Sequence, residues 1–197
     1  MSYDVANDPY FNPDTGVLHN LLNIKTQSEL EQVEAEITSV EISTILIESP
    51  AITVFDLELL REIHKQVFSH IYDWAGEIRR IELAKDKTRF AHSRHIESSA
   101  IELLEELKRE DNLNNLSIDD FIKRIAHYYC ELNIIHPFRE GNGRVIRTFL
   151  SLLAFNAGKS IAWNRMNSKE NIGACAIGYH GDEKPLQIML EKLVEDI

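Results

Sequence analysis

His136-Pro137-Phe138-Arg139-Glu140-Gly141-Asn142-Gly143-Arg144-Val145-Ile146-Arg147 lies between two segments of helical periodicity, and reading it as their connection decides the fold. Upstream, Phe121, Ile125, Tyr128 and Leu132 share one face, so a helix is expected from Ser117 to Leu132. Ser117 is its N-cap, and Asp119 and Asp120 suit the positive end of the helix dipole. Downstream, a second helix is expected from about Arg144 to Asn156, ended by Gly158 in a C-cap position. The quoted stretch is the loop of a helix–loop–helix.

The residue types in that loop suggest chemistry. A helix start presents unpaired N–H groups and a partial positive charge, and Gly141 and Gly143 let a ligand approach the backbone. Together with Asn142 they form an anion nest. Arg144 and Arg147, three apart, share a helix face, and two forked guanidiniums suit a polyphosphate. Glu140 alone would repel phosphate; it fits if it holds Mg²⁺, which keeps few protein carboxylates and bridges phosphates. His136 ends the preceding helix, where an imidazole of ordinary pKa, about 6.5, could take a proton from an attacking hydroxyl. Each piece alone is usually structural; the conjunction is informative. It is neither a P-loop nor a dinucleotide-binding glycine pattern.

Working outward, Asp8 to Gly16 reads as an ordered loop arm that Tyr10 and Phe11 could pack onto the domain. A helix from Ser28 to about Ile47 is expected to bury Leu30, Val33, Ile37, Val40 and Thr44, with Glu31, Glu34 and Glu36 solvated and Pro50 as its stop. Asp56 to Trp74 carries a wide apolar stripe broken by Gly76. Ile78 to Phe90 changes period around the polar Lys85-Asp86-Lys87 and is expected as a β-hairpin. Helices follow at Ile96 to Lys108, with Ile101, Leu104 and Leu107 as stripe, and at Lys184 to Val194. The fold class is mainly α with one small hairpin: an arm over residues 1–27 and one globular unit over 28–197.

Composition narrows the function. A net charge of −11 over 197 residues argues against gripping a nucleic-acid backbone. Cys130 and Cys175 lie far apart, which argues against a disulfide framework or a structural zinc site. His92 and His95 have no third ligand nearby in sequence, and His64, His70, Tyr72 and Trp74 read as structural. Met1 to Asn7 has no secretory pattern, and no apolar run approaches the roughly 18 residues of a membrane span, so the expected compartment is the cytoplasm with no membrane partner.

The twelve-residue stretch matches HxFx(D/E)GNGRxxR at every defined position, and the chain therefore resembles the Fic (filamentation induced by cAMP) family. The likeness extends to Asp8-Pro9-Tyr10, to IHKQVFSHIYDWAGEIR (Ile63 to Arg79) and to AHYYCELNIIHPFR (Ala126 to Arg139). The resemblance implies a Fic fold: a helical bundle around a helix–loop–helix core, with a β-hairpin flap that pairs with an extended target segment. It implies a protein adenylyltransferase that moves AMP from ATP to a Tyr, Thr or Ser hydroxyl. His136 would be general base and Phe138 a loop anchor. Glu140 would hold Mg²⁺. Gly141, Asn142 and Gly143 would bind the α- and β-phosphates, and Arg144 and Arg147 the β- and γ-phosphates. Ile81, Glu82, Leu83, Lys85 and Phe90 would form the docking flap. Doc toxins, which share the fold but phosphorylate, carry a Lys where this chain has Gly143, so the loop favours AMP transfer. A relative that uses CDP-choline has inserted domains this chain lacks.

Many Fic proteins are restrained by a helix reading (S/T)xxxE(G/N), whose Glu pairs with the second motif arginine, here Arg147. Thr44 to Glu48 and Ser98 to Glu102 have the spacing but are followed by Ser49 and Leu103. The expectation is restraint in trans by a small antitoxin, with the chain as the toxin. The resemblance suggests ATP-binding subunits of type II topoisomerases as targets.

Overall fold

The computed structural model describes residues 8–48, 52–85 and 88–197. The expected Pro50 stop, residues 1–7 and the Asp86-Lys87 part of the expected hairpin turn lie outside them.

The architecture is mainly α, as expected. After a short hairpin, β1 (Phe11–Asn12) with β2 (Val17–Leu18), come α1 (Gln27–Glu48) and α2 (Leu57–Phe68). Then follow β3 (Ala84–Lys85), β4 (Thr88–Arg89), α3 (Ile96–Arg109), α4 (Ile118–Ile135) and α5 (Asn142–Asn156). The chain ends with β5 (Lys159–Ile161), α6 (Ser168–Gly178), α7 (Lys184–Glu191) and β6 (Val194–Asp196). Helix α5 packs against α1, α2, α4 and β5, and α4 against α3, α5, α6 and α7. These two helices form the centre of the bundle. Phe121, Tyr128, Phe138 and Phe149 are wholly buried there, each contributing about 1.5–3 kcal/mol by removing apolar surface from water.

Local signals placed most helix starts. Ser117 Oγ accepts the Asp120 N–H at 3.2 Å, and Asp56 Oδ1 accepts that of Leu59 at 2.9 Å. Gly158 takes a left-handed φ of 72° just past α5, where the chain must leave the helix. The arm packs onto the core: Val17 and Leu18 are buried, and Tyr10 sets its ring edge-on to Trp74 at 5.3 Å.

Four expectations need correction. Helix α1 buries Leu30, Glu34, Thr38 and Ile45, whereas Val40 is exposed; its contact line carries polar side chains that have partners inside, so apolar spacing misplaced the face. Helix α2 stops at Phe68, because Ile71, Tyr72 and Trp74 are buried by successive turns that mimic helical spacing. In α3 the stripe is Ile96, Ala100, Leu103, Leu104 and Leu107, and Ile101 is exposed. The last helix ends at Glu191, since Val194–Asp196 instead pairs antiparallel with β5, Val194 opposite Ile161.

Candidate active site

Helix α4 runs into the loop at His136, which caps it in a left-handed conformation, φ 49° and ψ 63°. Such backbone in a non-glycine residue costs about 1–3 kcal/mol and must be held by its surroundings. Three contacts hold it. The His136 N–H still donates to Leu132 O at 3.0 Å, its carbonyl accepts from Arg79 Nε at 2.7 Å, and Phe90 stacks on the imidazole with centroids 3.7 Å apart. Nδ1 lies 3.1 Å from the Asn133 carbonyl oxygen. A carbonyl only accepts, so Nδ1 carries the proton and Nε2 the lone pair. That is the tautomer a general base needs.

Arg79 went unnoticed in the sequence, where nothing in its spacing marks a buried arginine. It is 1% exposed. Its guanidinium donates to the carbonyls of His136 and Ile135, at the negative end of α4, and to those of Ile81 and Ala91. One side chain thus ties the end of α4 to both legs of the flap.

The loop is closed by Asn142. Its Oδ1 accepts the Phe138 N–H at 2.9 Å and its Nδ2 donates to Phe138 O at 2.7 Å. The side chain is therefore spent on the loop, which leaves backbone N–H groups as the anion donors. The N–H groups of Asn142 and Gly143 precede the first bonds of α5, which Arg144 and Val145 make to Gly141 O. Gly141 is required twice over: its φ is 80°, and a Cβ there would lie 2.2 Å from Phe68 Cζ. Phe138 stacks on His64 at 4.0 Å. His64 accepts the Gly76 N–H at Nδ1, 2.7 Å, so its Nε2–H donates to Glu140 O at 3.2 Å. Burial lowers the pKa of this ring to about 3, keeping it neutral.

The two motif arginines have different partners. Arg144 turns towards α1, where Glu34 and Thr38 bind its guanidinium, and lies 4.9 Å over the Phe68 ring. Arg147 turns the other way, interacting with Tyr129 on α4 and Cys175 on α6. Among the described residues no carboxylate pairs with Arg147. Both guanidiniums nonetheless border one cleft, Arg144 held on its α1 side and Arg147 on its α4 and α6 side. Glu34, expected as solvated, is buried: Tyr72 donates to it at 2.7 Å, and burial pushes its carboxyl up against the pull of Arg144.

His136, Glu140, Gly141, Asn142, Gly143, Arg144 and Arg147 all border one cleft of about 350 Å³. Glu140 is half-buried, and its Oε1 accepts the Gly141 N–H at 2.9 Å and faces Arg144 at 3.8 Å. An oxygen-donor carboxylate at the mouth of an anion nest fits a hard divalent ion. The opposite wall is α6, which the sequence reading missed: Asn171, Ile172, Cys175 and Ala176, with Tyr179 just beyond. Gly173 and Gly178 blur the helical pattern there, while Asn167, which caps Lys169 and Glu170, is the signal that was available. Tyr129 donates to Asn171 at 2.8 Å, and burial pushes the Cys175 thiol up to about 11.

The flap is narrower than expected. Among the described residues, Ala84 pairs with Arg89 and Lys85 with Thr88, extended by Phe90 N–H to Leu83 O at 3.2 Å. Of the five expected docking residues, Leu83 is 2% exposed and Phe90 covers His136. Leu83, just before β3, is therefore buried and not presented for docking. Glu82 is exposed and accepts from Ser93, Ile81 is half-buried, and Lys85 lies in β3.

Residues 54–154 match the Fic/DOC family. The chain is 40% identical over 193 residues to the protein adenylyltransferase VbhT of Bartonella schoenbuchensis, covering 96% of this chain but only 40% of that relative. It is 36% identical over 189 residues to the probable protein adenylyltransferase Fic of Escherichia coli K12, covering 96% and 93%. In three dimensions it resembles the N-terminal Fic domain of a putative cell filamentation protein from Bartonella quintana with bound ADP, at TM-score 0.89 and 27% identity, covering 95% and 94%. The chain belongs to the Fic/DOC family.

Proposed function

We propose that the protein is an adenylyltransferase that moves AMP from ATP to a Tyr, Thr or Ser hydroxyl of another protein. The observation that carries this is the convergence on one cleft of His136, with its lone pair on Nε2, and the N-terminus of α5 with Arg147 and Glu140. The N–H groups of Asn142 and Gly143 cradle the α- and β-phosphates, and Arg147 meets the γ-phosphate. Arg144 borders the phosphates from its tether on α1. Nε2 of His136 takes the proton of the incoming hydroxyl as its oxygen attacks the α-phosphorus. The bond from that phosphorus to the β-bridging oxygen breaks, and pyrophosphate leaves. Glu140 would hold Mg²⁺, which neutralises phosphate charge. The α6 wall, Asn171, Ile172 and Cys175, takes the nucleoside. The work of the chain is positioning and charge neutralisation.

The flap edge at Ala84 to Arg89 offers main chain to an extended target segment. The family resemblance adds type II topoisomerase ATPase subunits as targets, and a toxin role in the cytoplasm with a small antitoxin. Arg147, with no carboxylate partner among the described residues, is the group to which such a partner could bring a glutamate. Among the described residues, no helix is long and apolar enough to cross a membrane.

The test is incubation with ATP labelled at the α- or the γ-phosphate in a bacterial lysate, comparing the chain with His136→Ala. We expect α-label on a target band, with the variant lower by about 10²–10⁴-fold. Transfer of γ-label would instead make the protein a kinase, and equal labelling by the variant would remove His136 from its role.

A further inference from the structure

The two carboxylates around Arg144 are unequal in a way that bears on metal binding. Glu34 reaches Arg144 from α1, 110 residues away in sequence. Its Oε1 binds Nη2 of Arg144, and its Oε2 is fixed by the Tyr72 hydroxyl at 2.7 Å. Thr38, one turn further along α1, accepts from the other terminal nitrogen, Nη1, at 3.2 Å. The same Nη2 lies 3.8 Å from Glu140 Oε1, and the two residues are four apart. One guanidinium nitrogen therefore stands between a buried carboxylate and the carboxylate at the cleft. Glu34 and Thr38 hold it on the buried side.

We propose that Glu34 is a positioning residue for the cation site: by engaging Arg144 it keeps that guanidinium from closing onto Glu140, so that the Glu140 carboxylate stays open to Mg²⁺. The proposal rests on the reading of Glu140 as the metal-holding residue. Without the Glu34 charge, Glu140 is the remaining carboxylate partner of Arg144 among the described residues, and a charge-assisted pair with it would compete with the ion. Helical spacing allows that pair without moving backbone.

The test is calorimetric binding of AMP-PNP to the full chain over a Mg²⁺ series, with thermal melts as the folding check. In Glu34→Gln, which keeps the shape and can still accept from Tyr72, the half-saturating Mg²⁺ rises roughly tenfold, the effect of one new charge pair beside Glu140. At saturating Mg²⁺ the AMP-PNP affinity stays within about twofold of the parent. The double variant Glu34→Gln with Arg144→Gln is read against Arg144→Gln alone: both have lost the arginine at the phosphates and neither has a guanidinium to compete for Glu140, so the two show one Mg²⁺ dependence. It also carries the test should the single variant misfold. An unchanged Mg²⁺ dependence in folded Glu34→Gln overturns the proposal, as does an equal loss of binding at every Mg²⁺ concentration, or a double variant that needs more Mg²⁺ than Arg144→Gln alone. Glu140→Gln separates the two readings. If it shifts the Mg²⁺ dependence and Glu34→Gln does not, only the positioning role falls; if it shifts nothing, Glu140 is not the metal residue and both fall.

Discussion

One wall of the cleft, made by α4, its loop and α5, buries 9 of the 18 residues of α4 and 9 of the 15 of α5, whereas α6 opposite buries only Ala174 and Gly178 of its 11 residues. On the first wall several polar groups are held in place: Asn142 closes the loop, His64 holds the Glu140 carbonyl, and Arg79 holds His136. On the second, side chains reach the cleft from a helix that packs chiefly on α7 and is tied further by Asn171 to Tyr129 and by Tyr179, whose hydroxyl donates to Arg89 O. The groups proposed to react sit where displacement is most costly, and the side proposed for the nucleoside sits where adjustment is cheap. Rigidity therefore follows from how much each element buries.

The sharpest way to break this contrast is to add one methyl to the rigid wall. Gly141→Ala meets both a left-handed φ and the Phe68 ring, which is itself wholly buried and stacked on His64. Backbone strain of about 1–2 kcal/mol plus overpacking of about 1–3 kcal/mol should reduce stability by roughly 3 kcal/mol in urea unfolding. Gly143→Ala, whose new Cβ meets only the movable end of Arg147, should lose far less. If the two variants unfold at the same urea concentration, the loop is not the rigid element described here.

A second prediction concerns pH. The folded pKa of His64, about 3, lies below its ordinary value. The unfolded chain therefore binds a proton that the folded chain refuses. Its stabilising share is complete above about pH 6.5 and declines as the pH falls towards 3, by up to about 1.4 kcal/mol per pH unit. Urea midpoints between pH 7 and 4.5 should fall accordingly, and His64→Gln should flatten that fall. An identical pH slope in the variant would assign the effect to other groups.

The same contrast explains what could be read from sequence. The loop is dense in residues with narrow conformational or chemical uses, so His136, Glu140 and the glycines were legible as a unit. Helices α4 and α5 were legible because their buried faces are mostly apolar, Asn142 and Thr148 on α5 being polar exceptions. Arg79 and Glu34 were not, since a buried ionic side chain looks like a surface one until its partner is known, and the partners lie 57 and 110 residues away. Helix α6 was missed because an element with little buried area leaves little periodicity. Strands β5 and β6, three residues each, are defined by each other and carry no local signal.

The smallest expected effect lies on the loose wall. Ile172 is 45% exposed and lines the cleft, so truncation to Ala removes few core contacts. Stability should change by less than about 0.5 kcal/mol. Binding should change more, because a nucleoside against α6 would cover this side chain and its loss removes apolar burial of about 1 kcal/mol, or roughly fivefold in KM for ATP. The turnover number should hold, since His136 and the α5 N-terminus are untouched. Ile146→Ala, the same truncation at a wholly buried site on α5, should instead cost about 2–5 kcal/mol of stability. Steady-state kinetics and urea unfolding of the two variants decide the matter. Should Ile172→Ala lower kcat with KM unchanged, α6 would be shaping the reacting geometry rather than holding the nucleoside, and the division between the walls would fail.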